Sequence, residues 1–373
     1  MKIGELCSYA PKSQIKAGEA IEGAKYMFFT SSADENKRYS DYQFDGEGII
    51  MGTGGNATLH YYSGKYSTST DCVVLLPNEK VRCKYLYYYL KANMNVLEAG
   101  FKGAGLKHTN KKYINDICID NIPDCGKQDK IIYILDKIQD IIDAKNKELK
   151  LLDDLIKARF VEMFGDAREN PNGYTMVPFI DIVEYMGDIG SNGANKVVVN
   201  HLDMKDEEDY AMMVRFTNFT KNDFTDDVKY VSKEAYDFFK KSQIFGGELI
   251  ICKIGSAGQN YVMPYLNRPV SLGLNQIMVR IKENILMPYL YQYLHTDYGE
   301  FLISGCINGA VTKTITKTEL KKIPVMLPPM ELQNEFADFV NQVDKSKVVY
   351  MYILKTRKYL MYNSKYGEKV NCI

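Results

Sequence analysis

Two long stretches of the chain repeat apolar residues at intervals of three and four, the spacing that places them on one face of an α-helix. The first stretch, 128–164, is interrupted mainly at Lys145, and the second, which begins near Gln333, is interrupted at Ser346 and Arg357. Lys, Glu and Asp fill the other faces, which is typical of a solvated helix surface. This heptad spacing predicts two helices whose apolar stripes bury each other. The stripe positions are Ile131, Leu135, Ile138, Ile142, Leu149, Leu152, Ile156 and Met163 in the first helix and Leu332, Phe336, Phe339, Val343, Tyr350, Ile353 and Leu360 in the second.

The patterns before each helix also recur, so the second half of the chain restates the first at an offset near 204 residues. A strand-like apolar run enters a glycine-rich turn at 49–55 and again at 249–258. Runs suited to buried strands follow at 67–75 and 271–279, and short amphipathic helices follow at 85–90 and 289–294. Each copy ends in a loop rich in Gly, Lys and Thr, then a proline, then a glutamine at the same distance, Gln128 or Gln333.

These patterns predict an α+β protein: two α/β domains in tandem, each followed by a long helix, with the helices packed as an antiparallel coiled coil in a pseudo-twofold internal repeat. The turn-rich segment 169–173 separates the first helix from the second domain. The predicted boundaries are 1–126 for the first domain, 127–167 for the first helix, 168–330 for the second domain and 331–373 for the second helix.

Composition excludes several classes of protein. With 46% hydrophobic and 25% charged residues, the chain has ordinary globular composition, and neither a signal peptide nor a run of about 18 apolar residues is present, so we expect a cytoplasmic protein without a membrane span. Eight scattered cysteines and four histidines make a zinc site improbable. The 47 basic and 47 acidic residues cancel, so any nucleic-acid surface must be local.

The arrangement resembles that of the specificity subunits of type I restriction-modification enzymes over essentially the full length of the chain. Segment 327–333 fits the Leu-Pro-Pro-x-x-x-Gln run that often ends their recognition domains, and 159–165 resembles their helix ends, whereas the first copy departs at 122–128. The resemblance implies that each target-recognition domain binds one half of a split DNA target while the helices separate the halves and dock two methyltransferase subunits. Restriction or translocase subunits would join in the full assembly. It further implies no reaction and no cofactor for this chain, with S-adenosylmethionine, ATP and magnesium bound by the partner subunits.

Base recognition uses polar and basic side chains on surfaces that also contact phosphates, so the loops rich in such residues are the candidate DNA-binding segments. No acidic residue lies between Glu98 and Asp116, and the corresponding loop of the second copy has one, Glu319. Because 107–110 and 312–315 differ, we expect an asymmetric target, with a helix of roughly 55 Å setting the spacer. The candidate DNA-binding residues are Thr53, Gly54, Asn56, Lys102, Lys107, His108 and Lys111 in the first copy and Ser256, Gln259, Asn260, Lys313, Thr314 and Lys317 in the second.

Enzymatic alternatives find little support in the sequence. Segment 52–57 resembles a dinucleotide fingerprint but no helix pattern follows it, and there is no Walker-type phosphate loop. The tetrapeptide 327–330 lacks the acid or amide and the aromatic residue of an adenine methyltransferase. Two rivals to a DNA-specificity subunit stay open: a protein-interaction scaffold built on the helices, and an enzyme with cryptic nuclease activity.

Overall fold

A computed structural model describes residues 1–103 and 105–363, with side chains described up to 347. The chain divides into two compact units. The first contains Met1–Asn146 and the chain from Tyr352 onward, and the second contains Lys147–Met351. The predicted domain boundaries stay predictions, because this division passes through the two long helices.

The first unit is built on one six-stranded sheet in the order β1-β6-β4-β5-β2-β3, with all neighbours antiparallel except β2 and β5. Helix α2 covers one face, where Leu86 and Leu90 pack with Ile49, Met51 and Leu75. The strands are β1 (Cys7–Tyr9), β2 (Tyr26–Phe29), β3 (Arg38–Tyr39), β4 (Phe44–Gly52), β5 (Leu59–Thr68) and β6 (Cys72–Pro77). The helices are α1 (Ile3–Leu6), α2 (Cys83–Ala92), α3 (Met94–Glu98), α4 (Lys111–Asp116) and α5 (Cys125–Phe164), of which α5 continues into the second unit.

The second unit contains two four-stranded sheets, in the orders β13-β12-β15-β8 and β10-β9-β14-β11. Its strands are β7 (Thr175–Pro178), β8 (Val183–Gly187), β9 (Ala211–Val214), β10 (Lys229–Val231), β11 (Gln243–Ile244), β12 (Leu249–Cys252), β13 (Asn260–Val262), β14 (Val270–Leu272), β15 (Gln276–Ile281), β16 (Ile307–Asn308), β17 (Thr314–Ile315) and β18 (Pro324–Leu327). Its helices are α6 (Asn195–His201), α7 (Phe216–Thr220), α8 (Lys233–Phe238), α9 (Met287–Leu294), α10 (Asp297–Gly305), α11 (Lys317–Leu320) and α12 (Met330–Asn363).

The two units repeat one strand arrangement. The long strand β4 corresponds to β11 and β12 together, and β5 corresponds to β13 and β14, since β5 pairs in parallel with β2 as β14 does with β9. The second copy is split where Gly246 and Gly247 take positive φ angles of 104° and 84° against the Tyr265 ring. Side chains other than glycine rarely adopt that backbone conformation, so these two residues form the corner between the sheets.

The long helices α5 and α12 pack antiparallel within the second unit. Arg159 forms an ion pair with Glu335 at 2.6 Å, and Asp153 forms one with Lys347 at 2.8 Å. The earlier residue of α5 thus pairs with the later residue of α12, as antiparallel helices require. Next to the Arg159–Glu335 pair, the rings of Phe160 and Phe336 meet with centroids 5.5 Å apart. The predicted fold class and the antiparallel helix pair are confirmed.

The predicted stripe is only partly buried. In α5, Ile142 and Ile156 are buried, Leu135, Leu149, Leu152 and Met163 are half-buried, and Ile131 and Ile138 are exposed at 36% and 38%. In α12, Phe336 and Val343 are buried and Leu332 and Phe339 are half-buried, while the side chains of Tyr350, Ile353, Arg357 and Leu360 lie outside the described residues. Phe160 and Phe164, which the stripe omitted, are fully buried because α9 packs on the same side of α5 and presents Tyr289 to both rings.

The two repeat glutamines hold the start of each long helix to its domain through matching hydrogen bonds. Fully buried Gln128 accepts from the backbone N of Arg82 at 2.7 Å and donates to the carbonyls of Lys80 and Pro123. Gln333, also fully buried, accepts from the backbone N of Leu286 at 2.9 Å and donates to the carbonyls of Asn284 and Pro328. In each unit the amide thereby joins the helix start to the residues just before α2 or α9.

None of the helices in the described chain is long and apolar enough to cross a bilayer.

Candidate nucleic-acid interface

In the first unit the glycine turn and the lysine-rich loop, predicted separately from sequence, lie side by side. Gly54 and His108 form a β-bridge, and Gly55 donates its N–H to the Lys107 carbonyl at 2.8 Å. The His108 ring packs against the turn, where a Cβ on Gly54 would lie 3.2 Å from its Cε1 atom. Five of the predicted residues therefore share one edge of this unit: Thr53, Gly54, Asn56, Lys107 and His108.

The second unit repeats this contact with other side chains. Ile254 and Thr314 form the equivalent bridge, and Gly255 donates its N–H to the Lys313 carbonyl at 3.1 Å. Ile315 donates to the Lys253 carbonyl just as Thr109 donates to the Thr53 carbonyl, both at 3.0 Å. By these bonds Lys253 occupies the place of Thr53, and Thr314 the place of His108.

Each of the two loops is a tight hairpin that needs a glycine. Lys102 and His108 exchange two backbone hydrogen bonds of 3.0 Å, and β16 pairs with β17 in the other unit. Gly103 and Gly309 have φ angles of 145° and 98°, and a Cβ at either would collide with a carbonyl across the hairpin. The described ends of each loop are thus joined by their own backbone hydrogen bonds.

Most of the predicted residues are accessible. Asn56, Lys102, Lys107, His108, Lys111, Ser256, Gln259 and Lys313 are exposed, and Thr53, Gly54, Thr314 and Lys317 are half-buried. Asn260 differs, because it is 6% exposed and donates its side-chain amide to the Gly258 carbonyl at 3.2 Å. Its position favours support of the glycine turn over contact with a ligand. The roles of these residues in DNA binding stay predictions.

Lys111 and Lys317 are equivalent residues in different surroundings. Each begins a short helix whose preceding residue, Asn110 or Thr316, caps it with a side-chain acceptor. The Lys111 ammonium lies over the Tyr9 ring, 4.3 Å from its centroid. The Lys317 ammonium instead donates to a carboxylate, that of Asp188, at 2.9 Å. Equivalent positions are therefore adapted differently in the two units.

The sequence prediction missed Lys253 and Asp188. Lys253 donates to the second Asp188 oxygen at 2.7 Å, so one carboxylate holds two lysines beside the glycine turn. Burial raises the pKa of Asp188, but hydrogen bonds from Lys253, Lys317 and Ser191 outweigh it and lower the pKa to about 2. The carboxylate is thus ionised near neutral pH. Lys253 was detectable, since aligning Gly55 with Gly255 places it at the Thr53 position.

Two histidines, buried His60 and half-buried His295, have hydrogen-bond partners within their own unit. His60 bonds to Glu35 at 3.0 Å and to the Ser32 carbonyl at 3.1 Å. His295 bonds to the Tyr291 carbonyl at 2.8 Å, and burial lowers its pKa. Within the described residues, no group of three or more His, Cys, Asp and Glu side chains is arranged to hold a metal ion.

Comparison with characterised proteins agrees with this architecture. The family model described as type I restriction modification DNA specificity domain matches residues 1–153 and again 181–349, which confirms the internal repeat. The chain is 20% identical to the EcoDI type I restriction enzyme specificity subunit of Escherichia coli, over 92% of this chain and 80% of the relative. It is 21% identical to the MjaVIII specificity subunit of Methanocaldococcus jannaschii, over 79% of this chain and 72% of the relative.

A solved structure shows the same fold. The type I restriction-modification S subunit from M. genitalium superimposes with a TM-score of 0.56 at 14% identity, covering 97% of this chain and 93% of that one. Proteins of this family are the non-catalytic DNA-recognition components of their complexes. With two copies of its domain across most of the sequence, this chain belongs to the DNA specificity family of type I restriction-modification systems.

Proposed function

We propose that this chain recognises a bipartite, asymmetric DNA target, one half through each domain. It recruits two methyltransferase subunits for adenine methylation, and in the full assembly it also recruits restriction subunits for restriction. The observation that carries the proposal is that both units join a glycine turn to a lysine-bearing hairpin by the same backbone bonds. Equivalent surfaces on a repeated protein suit two sites along one duplex.

Asymmetry follows from the side chains at equivalent places. Thr53 and His108 in the first unit correspond to Lys253 and Thr314 in the second. A lysine ammonium only donates hydrogen bonds, whereas a threonine hydroxyl or a neutral imidazole both donates and accepts. Because base edges differ in their donors and acceptors, the two domains would favour different base pairs.

Partner docking is assigned to the long helices. On α5, within the first unit, Tyr133, Ile134 and Ile141 are exposed at 65%, 56% and 53%. Exposed apolar side chains at helical spacing commonly mark a protein interface. The helix of 40 residues is about 60 Å long at about 1.5 Å per residue, which would set the spacer between the half-sites. These exposed residues also keep the interaction-scaffold alternative open.

Chemistry is assigned to the partners: we propose that S-adenosylmethionine, ATP and magnesium bind there, and that the assembly acts in the cytoplasm on the chromosome. Titration calorimetry of the isolated chain with each of the three should give no tight binding. Micromolar binding of any of them would contradict this assignment.

Methylation mapping tests the proposal as a whole. Adenine methylation would be sequenced genome-wide in the source cell with and without the gene for this chain. We expect one motif, made of two unlike specified blocks around an unspecified spacer, to lose methylation in the deletion strain. Unchanged methylation in that strain would contradict the proposal, and a gel-shift competition with random duplex across a salt series would then test the scaffold alternative.

A further inference from the structure

At the candidate DNA edge of the second unit, one buried carboxylate organises two lysines. Asp188 is 6% exposed and follows β8 directly. Its Oδ2 accepts from Lys253 at 2.7 Å, and its Oδ1 accepts from Lys317 and from the Ser191 hydroxyl, both at 2.9 Å. The residues are far apart in the chain, since Asp188 is 65 positions from Lys253 and 129 from Lys317.

The arrangement leaves donors available on both lysines. An ammonium has three N–H groups. Lys253 uses one of them on Asp188, and Lys317 uses two, on Asp188 and on the Ser191 hydroxyl at 3.0 Å. The two side chains remain 37% and 33% exposed. Held by a carboxylate that solvent barely reaches, the ammonium groups keep fixed positions from which the remaining N–H groups can bind an acceptor.

The first unit has no such carboxylate at the corresponding place. In the first unit, Tyr9 of β1 pairs with Leu75, which in turn pairs with Ile49. In the second unit, Met186 of β8 pairs with Val279, which in turn pairs with Leu249. Tyr9 therefore corresponds to Met186. Two residues further on, Pro11 stands where the second unit has Asp188. No ion pair links Lys111, the counterpart of Lys317, to any described carboxylate, and its ammonium rests on the Tyr9 ring.

We propose that Asp188 is a positioning residue that determines specificity in the second domain. This rests on the proposed function. Asp188 fixes Lys253 and Lys317 so that their free N–H groups match one arrangement of acceptor atoms on the target. Its negative charge also reduces attraction to duplexes of any other sequence, because a net positive edge binds all phosphates alike.

The test compares Asp188→Asn with Glu184→Gln. Glu184 is an exposed residue of β8 outside the described ion pairs, so the control makes the same charge change without touching either lysine. Equilibrium binding would be measured across a salt series for the duplex found by methylation mapping and for a scrambled duplex of equal composition. A third variant, Asp188→Glu, keeps the charge but displaces the carboxylate by one methylene group.

For Asp188→Asn we expect about threefold tighter binding to scrambled duplex and about tenfold weaker binding to the target, so the specificity ratio falls about thirtyfold. Asp188→Glu should weaken target binding alone, and Glu184→Gln should leave the ratio within about twofold of wild type. Single base-pair changes in the target then show whether the acceptors are base edges, while a changed salt slope indicates phosphates.

An unchanged specificity ratio in Asp188→Asn would overturn the inference and leave the proposed function intact. This holds whether binding to both duplexes weakens equally or strengthens equally, since equal strengthening is the effect of charge alone. If the wild-type chain showed no preference for the target, the proposed function itself would fail.

Discussion

The buried glutamine at the start of α12 provides a sharp test of how each long helix is joined to its domain. Gln333→Ala removes three hydrogen bonds, to Leu286, Asn284 and Pro328, from a site with no solvent access. At about 1 kcal/mol for each bond, with some further cost for the cavity, we expect the free energy of unfolding to fall by about 3 to 4 kcal/mol. That is a large share of the roughly 5 to 15 kcal/mol that stabilises a typical domain.

Urea denaturation followed by circular dichroism would measure this loss, and hydrogen exchange would locate it. Amide protection should fall at 284–286 and at the start of α12. Gln342→Ala is the matched control, since Gln342 is exposed on the same helix and should change stability by less than about 0.5 kcal/mol. Gln128→Ala should reproduce the loss in the first unit through its own three bonds. A Gln333→Ala chain as stable as the control would refute the reasoning.

Gln333→Glu separates hydrogen bonding from shape. The new carboxyl would lie beside the Pro328 and Asn284 carbonyls, out of contact with solvent, so its neutral form is favoured and its folded pKa should lie above its unfolded pKa. An acid whose pKa is raised on folding destabilises the fold as the pH rises, because its charged form is disfavoured there. The loss in free energy of unfolding relative to wild type should therefore grow from about pH 5 to about pH 8. A deficit independent of pH would contradict this.

Three further predictions follow from burial and charge. Lys313→Ala should make the negative slope of log affinity against log salt shallower by about 0.9, the value for one lost phosphate contact, and an unchanged slope would remove Lys313 from the interface. Phe160→Ala should cost about 3 to 5 kcal/mol in urea denaturation because the ring is fully buried, whereas Val161→Ala, 54% exposed, should cost little. Thiol labelling at pH 8 should modify exposed Cys118 well before Cys83, because burial raises the pKa of Cys83 to about 12; equal rates by peptide mass spectrometry would contradict the packing.

The repeat and its elements were predictable because they depend on local patterns. The glycine turns, the strands that enter them and the helices α2, α5, α9 and α12 all lie where periodicity placed them, within a few residues. The buried faces of the long helices were predicted less well. Heptad spacing identifies an apolar stripe, but it cannot show that α9 would also cover Phe160 and Phe164.

The site was predictable only as separate pieces. A single offset of about 204 residues aligns the copies, yet the backbone bonds match Gly55 with Gly255 and Lys107 with Lys313, offsets of 200 and 206. Insertions between the two loops therefore hid the equivalence of Lys253 and Thr53. Asp188 gave no local signal at all, since its role comes from partners that only the folded sheet brings to it.

Selection from a random pool tests most directly the claim that two unlike domains recognise two parts of one target. The purified full-length chain would be incubated with randomised duplexes at near-physiological salt, and the bound pool would be sequenced over successive rounds. We expect enrichment of one asymmetric motif with two specified blocks at a constant separation. Enrichment of a single continuous block or a palindrome, or no enrichment while the chain stays folded, would contradict it.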